Sequence, residues 1–483
     1  MNKPDILMFM TDQHTPYYSG FYGHNVDTPF LDYLAESGTC FDEAYTVAPI
    51  CVPARASFVT AKRPAGTGVF DNYDPFSNIT PTFMNYLVAE GYETVLVGRM
   101  HFIGPDQLHG FTRRIFPDCT TISYVRDDKK AVRGIYDSAY GSTKNTNVAG
   151  GGESSSAYYD QQVVNAALDY LSKPHEKPQF IVVSIYSPHH PYVGPKELYE
   201  KYRERVTLPE TFSTHFEFPI WESMYRPEVS EELGKDIIAA YCAMVEHVDQ
   251  QIKSVYEAFE KYCEGKNSEK LFVYFSDHGD HLGDRRAYGK TTFLEKSFKI
   301  PCIFCGDGVK KNNRIDGTVS IMDIGPTILD FIGCAPMKEV DGVSVASSLK
   351  GGEFNTHPVY AEMMYGKDGV YGFMLKYGRY KYITMSDGDK EALYDTLSDP
   401  NELNNLIDKL PQAAAYMRSM ALENMAQGKA EETWQRTNWQ RELWTAYDRA
   451  TGSPYNDQYT FKGPVPEECR ELPKISSENV TKY

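Results

Sequence analysis

The segment Asp5-Ile-Leu-Met-Phe-Met-Thr-Asp-Gln-His14 carries the clearest fold signal in the 483-residue chain. Its apolar run, residues 6–10, passes directly into polar Thr11-Asp12-Gln13. Short continuous apolar runs are typical of parallel strands buried on both faces, and α/β sheets bind ligands beyond the carboxyl ends of such strands. We therefore expect a buried parallel strand that ends at a functional site.

Strands and helices alternate through the next 350 residues. The sequence predicts helices at 28–38, 82–90, 163–171 and 235–260, and strands at 93–97, 180–186 and 271–275. This alternation predicts an α/β fold with a mostly parallel central sheet flanked by helices. Polar clusters follow apolar runs at Asp12, near His101, near His189 and at Asp277-His278. These four distant segments are expected to converge at one edge of the sheet.

The sequence pattern changes after Gly351-Gly352. Residues 373–382 alternate and are rich in aromatic side chains, which predicts a strand, and residues 411–426 predict a helix. We therefore place the larger domain at 1–354 and a smaller C-terminal α+β domain at 355–483. Its tail, from about Lys429, holds three of the four Trp residues and is interpreted as a packing segment or a partner contact, which leaves a homo-oligomer open. Residues 145–156 are expected to form a flexible loop.

Composition excludes several classes of protein. A net charge of −17 argues against a nucleic-acid-binding face, which needs a local excess of Lys and Arg. No stretch approaches the roughly 20 apolar residues of a membrane helix. The first residues resemble no signal peptide, so we expect a cytoplasmic location. The nine scattered cysteines predict reduced thiols, and Cys302-x-x-Cys305 reads as part of a buried strand.

The segment Ala48-Pro-Ile-Cys-Val-Pro-Ala-Arg-Ala-Ser-Phe-Val-Thr60 is the most informative for function. Its pattern Cys51-x-Pro53-x-Arg55 resembles the maturation motif of the type I sulfatase family, within the alkaline-phosphatase-like superfamily. In that family the cysteine is oxidised to formylglycine, so the resemblance implies a formylglycine-generating maturation enzyme as a partner. Taken alone, the pattern would more simply be a packed thiol.

Two further segments resemble the metal-binding motifs of the family. Asp12-Gln13 follows the first strand, and Asp277-His278 follows a later one. The resemblance implies that Asp12, Gln13, Cys51, Asp277 and His278 hold a divalent metal. Carboxylate and amide oxygens suit calcium first, with magnesium and manganese left open. His281 and Asp284, further along the same segment, are expected at the surface or behind the metal ligands.

Three more segments resemble family motifs that supply residues for substrate binding and proton transfer. Gly98-Arg99-Met-His101 resembles the family's Gly-Lys-x-His segment, with arginine where lysine is usual; Ser187-Pro-His189-His190-Pro191 resembles Pro-His-x-Pro; and Gly289-Lys290 follows. The resemblance implies that Arg55 orients the nucleophile and that Arg99 and Lys290 bind the transferring group. It implies His101 as the base for sulfate elimination and His189 as the acid for the leaving alcohol, with the reverse assignment left open.

The segment Glu391–Leu406 also resembles the C-terminal part of these sulfatases, so the resemblance runs from Asp5 to about Leu406. Asp277-His278 and Asp12-Gln13 point towards the choline-sulfatase and phosphonate-monoesterase-like branch. The expected function is hydrolysis of a small-molecule sulfate ester, of a small sugar or another small organic sulfate. A phosphonate monoester or phosphodiester hydrolase with the same nucleophile is the alternative, followed by a non-catalytic binding protein if Cys51 is not oxidised. A cysteine acyl- or thiol-transferase is disfavoured by the hard oxygen ligands.

Overall fold

An eight-stranded sheet is the largest element of the computed structural model, which describes residues 3–125, 149–224, 229–388 and 390–461. Its strands are β1 Asp5–Asp12, β2 Gly38–Tyr45, β3 Glu93–Gly98, β4 Arg113–Phe116, β6 Gln179–Pro188, β8 Lys270–Ser276, β9 Cys302–Gly306 and β10 Asn313–Ser320. The strand order is β10-β2-β9-β8-β1-β6-β3-β4. Only β9 pairs antiparallel with its neighbours, β2 and β8. The predicted α/β class with a mostly parallel central sheet is therefore confirmed.

The remaining strands of the described residues form two smaller sheets. β5 Ala149–Gly151 pairs parallel with β7 Tyr192–Gly194. A four-stranded antiparallel meander consists of β11 Val359–Tyr365, β12 Val370–Tyr377, β13 Tyr380–Met385 and β14 Glu391–Asp395.

Helices of very different lengths connect and cover these strands. They are α1 Pro29–Ser37, α2 Cys51–Thr60, α3 Pro64–Thr67, α4 Phe83–Ala89, α5 Ser155–Leu171, α6 Lys196–Arg203, α7 Pro219–Met224, α8 Glu231–Lys266, α9 Glu295–Phe298, α10 Ile324–Phe331, α11 Ala346–Leu349, α12 Pro411–Asn424, α13 Gln427–Thr451 and α14 Pro454–Tyr459. Short 3₁₀ turns lie at Pro16–Tyr18, Gly20–Tyr22, Asp284–Arg286 and Ile321–Asp323.

Both faces of the central sheet are buried, as the continuous apolar run of β1 predicts. Ile6, Met8 and Met10 pack into the core on one face, which includes side chains of α2, α4 and α10. Leu7 and Phe9 pack into the core on the other face, together with α1, α5 and α8. The alternation follows from the two-residue repeat of a strand.

The C-terminal domain differs in detail from the prediction. The stretch 373–382, expected as one strand, contains parts of β12 and β13 joined by a turn at Gly378, whose φ is +55°. A positive φ is the conformation that glycine adopts without steric cost, so the chain reverses there. The predicted smaller α+β domain is otherwise confirmed: the meander packs with α12 and α13.

Two loop-like segments are more regular than expected. Within 145–156, residues 149–151 form β5 and α5 begins at Ser155, because Ser154 caps that helix by accepting a hydrogen bond from the Ala157 amide. Residues 145–148 lie outside the described residues. The Trp-rich tail folds into the helix α13. None of the helices among the described residues is long and apolar enough to cross a bilayer.

The central sheet places the predicted polar segments together. β8, β1, β6 and β3 are adjacent and mutually parallel, so their carboxyl ends meet at one edge. Asp12 ends β1, and Asp277, His189 and Arg99 follow the ends of β8, β6 and β3. The expected convergence of four distant segments is confirmed.

The backbones of β2 and β9 lie very close to each other at Gly38, so a substitution there tests the pairing of these strands. A Cβ at this position would lie 2.1 Å from the Phe304 carbonyl oxygen, where β2 pairs with β9. We expect Gly38→Ala to lower the free energy of unfolding by about 1–3 kcal/mol or more, since backbone atoms cannot move aside cheaply. Chemical denaturation measures the effect.

Gly265→Ala is the matched control, because a Cβ on this exposed residue near the end of α8 meets no atom within 4 Å beyond its chain neighbours and the backbone of its own helix. It should leave stability unchanged or raise it by up to about 1 kcal/mol through helix propensity. Equal stability of the two variants would contradict the close approach.

Candidate active site

Cys51 is buried at the first position of α2. The first amides of a helix lack partners within the helix, and here the Val52 amide donates to Asn72 Oδ1 at 2.9 Å. Arg55 lies one turn further on, on the same helix face as Cys51, as the four-residue spacing of the motif predicts.

The Arg55 side chain is fully buried and connects α2 to the ends of the central strands. Its Nε donates to Asp277 Oδ2 at 2.9 Å, and its Nη2 donates to Asp12 Oδ2 at 3.0 Å. Its Nη1 donates to the Arg99 carbonyl at 3.0 Å and to Ser184 Oγ at 3.1 Å. Arg55 thus positions both carboxylates and the helix that carries Cys51.

Four of the five predicted metal ligands form a buried cluster. Ligand atoms of Asp12, Cys51, Asp277 and His278 all lie within 4.8 Å of one another. The His278 Nδ1 donates to the Gly279 carbonyl at 3.0 Å, since a carbonyl can only accept. In the neutral ring, His278 Nε2 then presents its lone pair to the cluster, 3.7 Å from oxygens of Asp12 and Asp277.

This donor set fits a divalent cation. Asp12 Oδ2 is engaged by arginine, whereas its Oδ1 faces Cys51 Sγ at 3.6 Å and His278 Nε2. Two carboxylates and a neutral imidazole suit calcium, magnesium or manganese. Burial alone would raise the pKa of Asp12, but Arg99 and the neighbouring cations hold it well below its usual range, so the carboxylate stays ionised.

Arg99, where the family motif has lysine, is also buried and directed at Asp12. Its Nε donates to Asp12 Oδ2 at 2.7 Å, its Nη1 lies 3.3 Å from Asp118 Oδ1, and its Nη2 donates to His101 Nδ1 at 2.8 Å. The guanidinium carbon lies 5.1 Å from the centre of the Tyr186 ring. All three nitrogens of Arg99 are thus engaged by protein groups.

Asp118, which the sequence analysis missed, fixes the segment that carries Arg99 and His101. Its Oδ2 accepts from the amides of Met100 at 3.1 Å and His101 at 2.8 Å, where the His101 φ is +56°. Burial alone would raise the pKa of Asp118, but Arg99 and Arg114 lower it. No motif surrounds Asp118 in the sequence, so no local signal marks its role.

Lys290, Gln13 and His189 lie together at the same site. The Lys290 ammonium donates to Gln13 Oε1 at 2.6 Å and to His189 Nε2 at 2.7 Å. His189 Nδ1 donates to the His190 carbonyl at 2.7 Å. Gln13 therefore uses its amide oxygen on Lys290 here, and its place as a metal ligand stays a prediction.

Asp280 holds Gln13 in place and was also missed, although it stands between Asp277-His278 and His281 in the sequence. The Gln13 Nε2 donates to Asp280 Oδ2, which also accepts from the Tyr192 hydroxyl at 2.8 Å. Asp280 Oδ1 accepts the Leu282 and Gly289 amides at 3.0 and 2.8 Å. A buried carboxylate with four donors orders both the Gln13 side chain and the turn that leads to Lys290.

Of the two positions expected for His281 and Asp284, the structure excludes the one at the surface, and a position behind the metal ligands stays a prediction. Both are buried, and His281 Nδ1 lies 3.2 Å from Asp284 Oδ2. Asp284 also pairs with Arg285, and His281 Nε2 contacts the Thr292 hydroxyl at 3.0 Å. The pair holds the segment after the cluster together, because buried polar side chains need hydrogen-bond partners.

Comparison with known proteins shows the family to which the chain belongs. Residues 4–334 match the family described as Sulfatase, and residues 283–429 match that described as N-sulphoglucosamine sulphohydrolase, C-terminal. A choline-sulfatase of Rhizobium meliloti is 31% identical over 432 residues, which cover 84% of this chain and 83% of that protein. An arylsulfatase of Clostridium perfringens is 27% identical over 473 residues, covering 89% and 95%.

A solved structure supports the fold. The phosphonate monoester hydrolase of Agrobacterium radiobacter superposes with a TM-score of 0.72 at 21% identity, covering 87% of this chain and 95% of that one. The family model that matches residues 4–334 thus places the chain among the sulfatase-type hydrolases of the alkaline-phosphatase-like superfamily. Within it, the chain belongs to the sulfatase family, and its activity is that of a sulfatase. The choline-sulfatase match also confirms the resemblance to that branch.

Asp277→Asn tests the proposed metal cluster. The amide keeps the shape of the side chain but removes one negative charge from the donor set, so we expect metal affinity to fall at least about tenfold. Metal content after equilibrium dialysis, determined by mass spectrometry of the metal, measures the change. Asp316→Asn, at an exposed position, should keep wild-type content, and unchanged occupancy in Asp277→Asn would remove Asp277 from the ligand set.

Proposed function

We propose that this sulfatase hydrolyses the sulfate ester of a small organic molecule, such as a small sugar, with a formylglycine made from Cys51 and a divalent metal. The observation that supports this most is the buried cluster of Asp12, Cys51, Asp277 and His278, whose ligand atoms lie within 4.8 Å of one another. A maturation enzyme that oxidises Cys51 is then a required partner.

The divalent cation and the formylglycine would each supply a different part of the chemistry. Asp12, Asp277 and His278 would hold a divalent cation, calcium first, and it would supply positive charge that lowers the pKa of a hydroxyl and offsets the charge of the sulfate. A formylglycine at position 51 supplies, once hydrated, a hydroxyl nucleophile and a second hydroxyl that lets sulfate leave without hydrolytic attack on the enzyme.

The side chains around the cluster supply positioning and charge. Arg55 orients the two carboxylates and the helix start that carries position 51. Lys290 is the candidate cation for the transferring sulfate, because the residue is half-buried and its ammonium lies beside Gln13 and His189. Preorganised donors of this kind stabilise the charge that develops during transfer. His101 and His189 are the candidate groups for proton transfer.

A phosphonate monoester or phosphodiester hydrolase with the same nucleophile is the second candidate. The fold shared with a phosphonate monoester hydrolase favours it, since both ester classes present tetrahedral anionic groups to the same donors. A non-catalytic binding role would follow if Cys51 stays a thiol. A cytoplasmic location remains an expectation, and it would favour small substrates over polymers. A homo-oligomer also remains an expectation.

Cys51→Ala tests the nucleophile. We expect turnover of sulfate esters to fall by at least about 10³-fold with the fold intact, because no other side chain replaces the nucleophile. Intact-protein mass should show the matured wild-type chain about 18 Da lighter than its sequence mass, the difference between thiol and aldehyde. Cys334→Ala, at a partly buried free cysteine, is the matched control and should keep both the mass difference and the activity. Wild-type turnover in Cys51→Ala would end the formylglycine proposal.

A matched panel of esters separates the two candidate reactions. Sulfate, phosphonate and phosphodiester substrates with one common aryl leaving group should give the highest kcat/KM for the sulfate. The comparison isolates recognition of the transferring group, because the leaving group is constant. A phosphonate or phosphodiester preference of more than about tenfold would reverse the order of the proposals.

A further inference from the structure

A cavity lies at the edge of the central sheet opposite the candidate active site. Its volume is about 570 Å³, and small-molecule sites span roughly 300–1,000 Å³. It is lined by the end of α5, by the residues after it up to His175, and by the last turns of α8. Because α5 leads into β6 and α8 leads into β8, the cavity lies at the amino ends of these strands.

The length of β8 separates this cavity from the candidate active site. β8 has seven residues, and a strand rises about 3.3 Å per residue, so its two ends lie roughly 20 Å apart. Lys266, which lines the cavity, lies shortly before the start of β8, and Asp277 of the metal cluster follows its end. A ligand in the cavity therefore uses groups other than those of the candidate active site.

The floor of the cavity is apolar. Leu171 and Tyr262 belong to the core on that face of the sheet, and Leu168 and Ala258 pack against this core partly buried. The rings of His175 and Tyr262, which both line the cavity, lie 6.0 Å apart at an angle of 53°. A ligand that covers partly buried apolar side chains gains free energy by removing their surface from water. This floor favours a ligand with an aromatic or aliphatic body.

The charged side chains that line the cavity are basic. They are Lys173, Lys261 and Lys266, and the described residues of the lining include no Asp or Glu. The chain as a whole carries a net charge of −17, so this local excess of cations opposes the overall charge. A concave surface lined by one sign of charge attracts ligands of the other sign. The charge pattern therefore favours an anionic group on the ligand.

The three ammonium groups differ in how firmly the protein holds them. Lys266 is half-buried and donates to Asp5 Oδ1 at 2.8 Å and to a backbone carbonyl oxygen at 2.7 Å, so it is fixed. Lys173 pairs with Asp169 at 2.6 Å, but both side chains are more than half exposed, and such pairs contribute little free energy. Lys261 is exposed and makes no hydrogen bond or ion pair within the described part of the chain. Lys173 and Lys261 are therefore free to turn towards a ligand.

We propose that this cavity binds an amphipathic organic anion, a small molecule with an apolar body and one anionic group such as a sulfate, a sulfonate or a carboxylate. The body packs on the apolar floor beside the Tyr262 ring, and Lys173 and Lys261 bind the anionic group. Lys266 adds positive charge from its fixed position, 5.4 Å from the centre of the Tyr262 ring. The proposal is independent of the proposed function, because it uses no residue of the candidate active site.

Calorimetric titration of naphthalene-2-sulfonate into the full chain tests the proposal, because this probe joins an aromatic body to one anionic group. Ala258→Trp fills the cavity, and we expect it to raise Kd at least about tenfold. Lys173→Gln combined with Lys261→Gln leaves the core untouched, since both lysines are exposed, and should raise Kd about fivefold through the lost charges. Unchanged binding in either variant would refute the proposal, as would the absence of saturable binding to the wild-type chain.

Two partial probes test whether both ends of the ligand are recognised. 2-Naphthol lacks the anionic group, and inorganic sulfate lacks the apolar body. For each of them we expect the binding that Ala258→Trp removes to be at least about tenfold weaker than for naphthalene-2-sulfonate. Higher salt should also weaken binding of the sulfonate, because it faces exposed lysines. Equal affinity for the sulfonate and for either partial probe would overturn the amphipathic assignment.

Two control variants locate the binding. Lys253→Gln removes an exposed lysine of α8 that does not line the cavity, so it should leave Kd unchanged. Lys290→Ala changes the candidate active site and should also leave Kd unchanged, whereas loss of binding there would place the sulfonate in the active site and overturn the proposal. A chain that binds the probe as expected but cleaves no sulfate ester would refute only the proposed function.

Discussion

The Arg55 guanidinium is hydrogen-bonded to groups at the ends of four adjacent strands. Asp12 ends β1, Asp277 follows β8, Ser184 lies in β6, and the Arg99 carbonyl follows β3. One rigid planar cation therefore sets the distances between the carboxylates and ties them to the helix of Cys51. Removing one partner of such a buried pair costs about 3–5 kcal/mol, since the other charge stays behind unpaired. The site depends on this residue more than on any single ligand.

Charge balance explains how so many ionised groups stay buried. The anionic side chains Asp12, Asp118 and Asp277 are each matched by Arg55 or Arg99. The oxygen of Asp12 that faces the cluster is free of arginine, which leaves it to a metal ion. Against the effect of burial, the arginines lower the pKa of Asp12 and Asp118, while the cluster-facing atoms stay available to a metal ion. This arrangement supplies charge stabilisation without reorganisation, which is how preorganised sites lower a barrier.

Much of this could be predicted from the order of residues along the chain. The run 6–10 predicted a central strand, and the polar residues behind four apolar runs predicted the edge where the site lies. Asp118 and Asp280 could not be found this way. Asp118 acts through hydrogen bonds to an earlier segment of the chain, and Asp280 acts through a turn that folds back onto it. A lone aspartate belongs to no periodic pattern and to no motif, so the sequence does not mark either role. The turn at Gly378 was missed because alternation continues through both strands of the hairpin.

The sequence by itself determined the fold class, the nucleophile candidate and the charged residues, because hydrophobic periodicity and short motifs are local properties. Only the tertiary structure decided what each charge does. Arg99 donates to Asp12 and His101 and lies over the Tyr186 ring, contacts that no motif announced, and its role towards the transferring group stays a prediction. The protonated nitrogen of a histidine depends on the partner that folding brings to it. That partner comes from the next residue for His189 Nδ1 but from a residue 101 positions away for its Nε2.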